Sequence, residues 1–316
     1  MEHLGNKTFI EYACALTETL DAYLARLSSV ACVTIVDELV RSLAQFYDLA
    51  AASGDLAGFR ASCESHPLHR LVLEDPFTER AFSKPRGYAP DPVMLDYIHR
   101  PRRLSLSEVG EAVHFVTTGA GAARNIAGRR DYLAKAIAQT VRRRRKARIL
   151  SVANGYLREL DAVKQRVDRR DFEIVALDHD CASLKEAVNA NPDFNIVPVE
   201  QPVAHLLHGQ NSAKYDLIYS AGLFDDLPSG RASSLLNRLV DKLAPAGRLV
   251  IANHAPNAYW RGYMEGMMGW SVHYRGEAEL ERLVDLSKMA RYKTYRDAPG
   301  SLVYLEGAPA GLEGSE

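Results

Sequence analysis

Beyond residue 147 the chain settles into one rhythm: a short β-branched apolar run, a helical or loop segment, then another run. RILSVA (148–153), FEIVALD (172–178), FNIVPV (194–199), YDLIYSA (215–221) and GRLVIAN (247–253) are the five runs. Near-continuous hydrophobicity suits strands buried on both faces, where alternation would mark a half-exposed sheet. Helical segments at 157–168, 181–190 and 230–243 lie between them and imply βαβ units. KMARYKTYRD (288–297), a Pro-Gly turn and SLVYLEG (301–307) read as a hairpin. The expectation is an α/β chain with a doubly wound, mostly parallel seven-stranded sheet and an antiparallel edge.

The region before residue 147 reads differently. Phe9, Ala13, Leu16, Leu20, Tyr23, Leu24 and Leu27 keep to one helical face, and Thr8 with Glu11 has capping-box spacing. A second helix is expected from about Val30 to Ala52, a third opening at Ser105 with Glu108 and stopping near Gly119, and a fourth over 123–145. The division expected is an N-terminal helical cap or lid over 1–146, a Rossmann-like domain over 147–307, and a frayed tail over 308–316. The basic run RRRRK (142–146) suits a helix C-terminus, whose dipole favours cations.

Bulk properties bound the partners. A formal charge of −1 over 316 residues gives no electrostatic footing for nucleic acid or an anionic membrane. No apolar run is long enough to span a bilayer, and MEHLGNKTF lacks the plan of a secretion signal. Cys14, Cys32, Cys63 and Cys181 are widely spaced and read as free thiols in a reducing cytoplasm. The apolar first two helices suit a homodimer interface as well as a cap.

In a doubly wound sheet, ligands bind beyond the carboxyl ends of the strands. Those ends read, in order, Ala153-Asn154-Gly155-Tyr156, Asp178-His179, Glu200-Gln201, Ser220-Ala221-Gly222-Leu223-Phe224-Asp225, and Asn253-His254. Asp178 stands 23 positions after Gly155, placed to accept hydrogen bonds from both hydroxyls of a ribose. The first loop lacks the GxGxxG that brings backbone against a pyrophosphate, and no GxxxxGK[ST] occurs. A ligand with ribose and adenine but no phosphate fits this set.

ILSVANGYLREL, VALDHD, YDLIYSAGLFDDLP and GRLVIAN, with the terminal hairpin, resemble a class I S-adenosylmethionine-dependent methyltransferase over about 147–307. HPLHRLVLEDPFTERAFSKPRGYAPDPVMLDYIHRP (66–101) and AARNIAGRRDYL (122–133) extend the likeness. Over about 66–307 the chain is similar to the bacterial extracellular factor 3-hydroxypalmitic acid methyl ester biosynthesis family. The resemblance implies cofactor contacts from Ala153, Asn154, Gly155, Asp178, His179, Gln201, Ser220, Ala221, Gly222 and Phe224. It also implies a lid over the methionine end from Arg86, Tyr88 and Arg124, although KPRGY equally suits a structural turn. The loop departs from the pattern: Ala153 and Leu157 stand where such loops carry glycine, and Tyr156 where they carry a small residue. Tyr156 either packs on the cap or offers its ring to the sulfonium cation.

ANHAPNAYWRGYMEGMMGWSVHYR (252–275) holds both tryptophans of the chain. It reads either as core or as an acceptor-pocket wall, with Tyr259, Tyr263, Trp270 and Tyr274 as candidate substrate contacts. Tyr156, Tyr88, Asn253 and His254 are the candidate catalytic residues, and no metal-ligand spacing occurs. A sulfonium is already an activated electrophile, so positioning and desolvation carry most of the chemistry. The predicted activity is methyl transfer from S-adenosylmethionine to oxygen or nitrogen of a small-molecule acceptor, in specialised metabolism or signalling. The alternative is a cyclase that consumes the cofactor itself, giving azetidine-2-carboxylate and methylthioadenosine.

Overall fold

The alternating half folds as its pattern predicts. A computed structural model describes residues 2–310, except 120, 154, 169–170 and 209–212, with the side chains of 2–11, 121–125 and 208 also undescribed. In chain order the helices are α1 (Glu2–Ser29), α2 (Val33–Ser53), α3 (Leu56–Ser65), α4 (Pro67–Val72), α5 (Pro76–Ser83), α6 (Pro92–His99), α7 (Glu108–Gly119) and α8 (Gly121–Arg143). From there strands and helices interleave: β1 (Ala147–Val152), α9 (Leu160–Val163), β2 (Phe172–Asp178), α10 (Cys181–Asn189), β3 (Asn195–Glu200), α11 (His205–His208), β4 (Tyr215–Ser220), α12 (Leu223–Asp226), α13 (Ser229–Asp241) and β5 (Leu243–His254). The chain closes with α14 (Arg261–Gly266), α15 (Glu277–Glu281), β6 (Met289–Arg296) and β7 (Leu302–Pro309). Two compact units result, one of residues 1–124 with 258–271, the other of residues 125–257 with 272–316.

The second unit is built on a seven-stranded sheet of order β3-β2-β1-β4-β5-β7-β6. β1 to β5 pair in parallel, and β7 runs antiparallel between β5 and β6. Successive strand residues serve opposite faces, as the pleat requires. Ile149, Ile174 and Leu217 face Leu133 and Ile137 of α8 with Leu160 and Leu184. Their neighbours Leu150, Val175 and Ile218 face Leu235, Leu236 and Leu239 of α13 with Leu280. β3 is the exception among the parallel strands: as an edge strand it is largely exposed and accommodates Pro198, whose missing N–H needs no ladder partner there.

Several boundaries differ from expectation, and the tail expected from 308 begins later, since Ala308 and Pro309 lie in β7. The helix expected to open at Ser105 opens at Glu108, because Ser107 Oγ accepts from Gly110 N at 3.0 Å and serves as the cap. The helix expected over 157–168 contracts to α9, since Leu157 is left-handed at φ +53° and cannot lie inside a helix. β5 starts earlier than expected, at Leu243, running through a register irregularity against β4.

The helical unit is organised by carboxylate caps. Asp55, Asp75 and Asp91 accept from the first backbone N–H groups of α3, α5 and α6, which leaves proline free to open the last two. Leu16, Leu20, Tyr23 and Leu27 are buried as the first stripe predicted. α14 lies against α2 so closely that a Cβ on Gly262 would sit 2.2 Å from Leu43 O. Only glycine fits there. That approach buries Glu265, which accepts from Tyr47 Oη at 3.0 Å and Arg60 Nε at 3.1 Å.

Candidate functional site

Strand order reverses between β1 and β4, since β2 and β3 lie on one side of β1 and β4 and β5 on the other. That crevice is where a doubly wound sheet offers a ligand site. Its floor is the loop after β1. Ala153 (φ +54°), Gly155 (φ +53°) and Leu157 (φ +53°) all adopt the left-handed conformation. Two of them are the positions where glycine was expected. The loop therefore keeps the backbone shape of a glycine-rich loop while Ala153 and Leu157 bear roughly 1–2 kcal/mol of strain each.

Asp178 ends β2 and is buried. Its Oδ2 accepts from Gly155 N at 3.3 Å and its Oδ1 from Asp180 N at 3.0 Å, so one carboxylate ties the loop to the start of α10. His179 Nδ1 lies 3.4 Å from Asp178 Oδ1, with its ring largely exposed. Gln201 donates its backbone N–H to Asp178 O at 2.9 Å and exposes its side chain. Ser220 Oγ donates to Val152 O at 3.0 Å and fixes the end of β4 against the end of β1. Ala221 packs partly buried beside the core, while Phe224 is fully buried within it. The expected set thus lies at the carboxyl ends of β1, β2, β3 and β4, with Phe224 buried in the core. Asn154 and the side chain of Arg124 lie outside the described residues.

Tyr156 shares one ring face with the Arg158 guanidinium, 4.8 Å from the centroid. Arg158 in turn holds Glu186 of α10 at 3.0 Å. Asn253 and His254 end β5 in a buried network. Asp225 Oδ1 accepts from His254 N at 2.7 Å, and Asn253 Nδ2 donates to His273 O at 2.8 Å. Arg275, which no sequence motif marked, completes it by donating to Phe224 O at 2.6 Å and Asn253 Oδ1 at 2.9 Å. Burial pushes the Asp225 carboxyl up to about 7 and the His254 imidazole down to about 3, each being driven toward its neutral form.

Arg129 is the other residue the sequence left unmarked. It is 8% exposed, and its Nη1 is 3.9 Å from where a Cβ on Gly222 would stand. α8 ends just before β1 begins, so the helix runs back along the sheet toward the strand carboxyl ends. Fourteen residues of helix from Arg143 back to Arg129 cover about 21 Å. β1 and its first loop residue cover about 20 Å in the other direction. Arg129 therefore arrives level with the crevice.

The other candidates, Tyr274 apart, belong to the helical unit. Lys84 (φ +46°) and Gly87 form the KPRGY turn, closed by Gly87 N donating to Lys84 O at 2.7 Å. Arg80 holds Asp91 through Nε at 2.8 Å, and Arg86 Nε lies 3.9 Å from the same carboxylate; Tyr88 is half-buried in this turn. Tyr259 lies beneath Arg41, Tyr263 pairs with Thr78 Oγ1 at 3.1 Å, and Trp270 is buried. Tyr274 belongs to the sheet unit. Among the described residues no cluster could hold a metal ion and no helix is long and apolar enough to cross a membrane.

No protein-family model matches the chain, and no curated protein matches it significantly in sequence. Solved structures do match in shape. A possible exported protein from Bordetella parapertussis superposes with a TM-score of 0.61 at 16% identity, over 82% of this chain and 97% of its own. The CurJ carbon methyltransferase matches at 0.52 and 16% identity, over 87% and 71%. The S-adenosylmethionine-dependent methyltransferase SibL matches at 0.50 and 12% identity, over 83% and 76%. The likeness is one of fold. The seven-stranded, mostly parallel sheet with flanking helices is the Rossmann-like class I methyltransferase fold, preceded here by N-terminal helices.

Proposed function

We propose that the chain binds S-adenosylmethionine at the β1–β2–β4 crevice and transfers its methyl group to a small-molecule acceptor. The observation that carries this reading is the Gly155–Asp178 pair: a buried carboxylate at the end of β2, joined to a left-handed loop after β1. The donor set fits the cofactor. Asp178 offers acceptors to the ribose hydroxyls, and the loop supplies close backbone approach without the glycines a pyrophosphate needs. Bound there, the cofactor supplies an activated methyl group.

The chain's own residues position the reactants and exclude water. Ser220 locks the β4 end, and Arg275 locks the β4 and β5 loops together, so the crevice holds its shape as reactants align. The methyl ester biosynthesis family remains our reading of residues 66–307 from sequence alone, with oxygen the first acceptor type to test. Incubation with cofactor and a panel of carboxylates, hydroxyls and amines should release S-adenosylhomocysteine. Methylthioadenosine released from the cofactor alone, faster than its spontaneous breakdown and together with azetidine-2-carboxylate, would instead support cyclisation.

A further inference from the structure

Buried cations in the sheet unit are held by their own chain. Arg158 has Glu186, and Arg275 has three oxygen acceptors. Arg129 differs. Among the described residues, no acceptor lies within hydrogen-bond distance of its guanidinium and no carboxylate within ion-pair distance. Drawing most of a guanidinium out of water without a counter-charge is unfavourable. The acids that feel its field compensate it only weakly, because burial drives both Glu159 and Asp225 toward the protonated form. The guanidinium therefore stands beside Gly222 with no hydrogen-bonded or ion-paired acceptor among the described residues.

We propose that Arg129 is the carboxylate receptor of the crevice, its planar fork holding the α-carboxylate of the cofactor's methionine portion. This rests on the cofactor reading above and adds a residue to it. Asp178 ends β2 and Gly222 follows β4, with β1 between them, so the two polar ends of the crevice stand about two strand spacings, or ~10 Å, apart. A nucleoside whose ribose is fixed at Asp178 sends its aminocarboxypropyl arm across β1 toward Arg129. A guanidinium suits a carboxylate because its N–H groups match the two oxygens in one plane. Adenosine alone would leave it unmatched.

Calorimetric titration of the full chain with S-adenosylhomocysteine and with 5′-methylthioadenosine, which lacks the amino-acid arm, tests this directly. The wild type should prefer S-adenosylhomocysteine by about 10- to 100-fold, the range for a charge-assisted pair. R129Q should lose that preference while binding 5′-methylthioadenosine as the wild type does, which also shows that it folds. R129K, keeping the charge but not the fork, should fall between. An undiminished preference in R129Q overturns the assignment, and so does an equal loss of both ligands. Binding of neither ligand by the wild type would instead overturn the cofactor reading, and the assignment with it.

Discussion

Two arginines flank the same helix and sheet and have opposite surroundings. Arg248 on β5 donates to Glu306 through Nε at 3.0 Å, to Gln139 Oε1 at 2.8 Å and to Tyr132 Oη at 3.2 Å. Arg129, on α8 as Tyr132 and Gln139 are, has no such partner among the described residues. Their neighbouring carboxylates follow suit. At Glu306, burial alone would raise the carboxyl, but hydrogen bonds from Tyr132 and Tyr295 and the Arg248 charge outweigh it and hold it at about 2. At Asp225, burial wins and the carboxyl rises to about 7. The antiparallel edge satisfies its charges internally and is structural. The crevice leaves Arg129 without a partner among the described residues beside a perturbed carboxyl, a pattern that clusters at functional sites.

The largest effect should come from breaking the satisfied side. E306Q leaves Arg248 without its counter-charge and should cost about 2–4 kcal/mol in urea unfolding at neutral pH. Because the native carboxyl lies below its unfolded value, that stability is present above about pH 4.5 and fades as pH falls toward 2, where the two proteins should converge. A gap that stays constant down to pH 2 would deny the edge cluster its role.

The crevice side gives a second contrast in pH. Unfolded His254 takes up a proton near its ordinary value while the native imidazole resists until about 3, so this residue lowers stability as pH falls from 6.5. Asp225 acts oppositely, holding a proton in the native state up to about 7. The two slopes offset one another between about pH 4 and 6.5. H254Q should unmask the carboxyl, giving stability that increases on acidification from pH 7 to 4.5 by up to roughly 1.4 kcal/mol per pH unit. D225N should tilt the profile the other way, and parallel profiles for both variants would refute the pairing. The smallest effect belongs to the loop: A153G should relieve left-handed strain and stabilise the chain by up to about 1 kcal/mol. Destabilisation by A153G would mean that Ala153 is not in the left-handed region.

Much of this was legible from the residues. The five apolar runs became β1 to β5, the closing hairpin became β6 and β7, and the spacing of Gly155 and Asp178 marked two groups that meet at 3.3 Å. Those features are local or depend on a known strand order. Arg129 was not legible because GRRDY in mid-helix looks like a solvated face; only the antiparallel run of α8 along β1 brings one of its arginines to the crevice. The networks at Asp225 and Glu306 join residues far apart in sequence, which no periodicity encodes. Nor does an aromatic stripe reveal which core it enters: Tyr259, Tyr263 and Trp270 interrupt the sheet unit in sequence and belong to the helical one.

The most direct measurement is calorimetric titration of the wild type and D178N with S-adenosylhomocysteine, with thermal unfolding to show that both are folded. The account predicts one site per chain in the wild type and a loss on the order of 100-fold in D178N, from acceptor bonds withdrawn from the ribose. A folded wild type that takes up no S-adenosylhomocysteine, or a D178N that binds it as well, would contradict it.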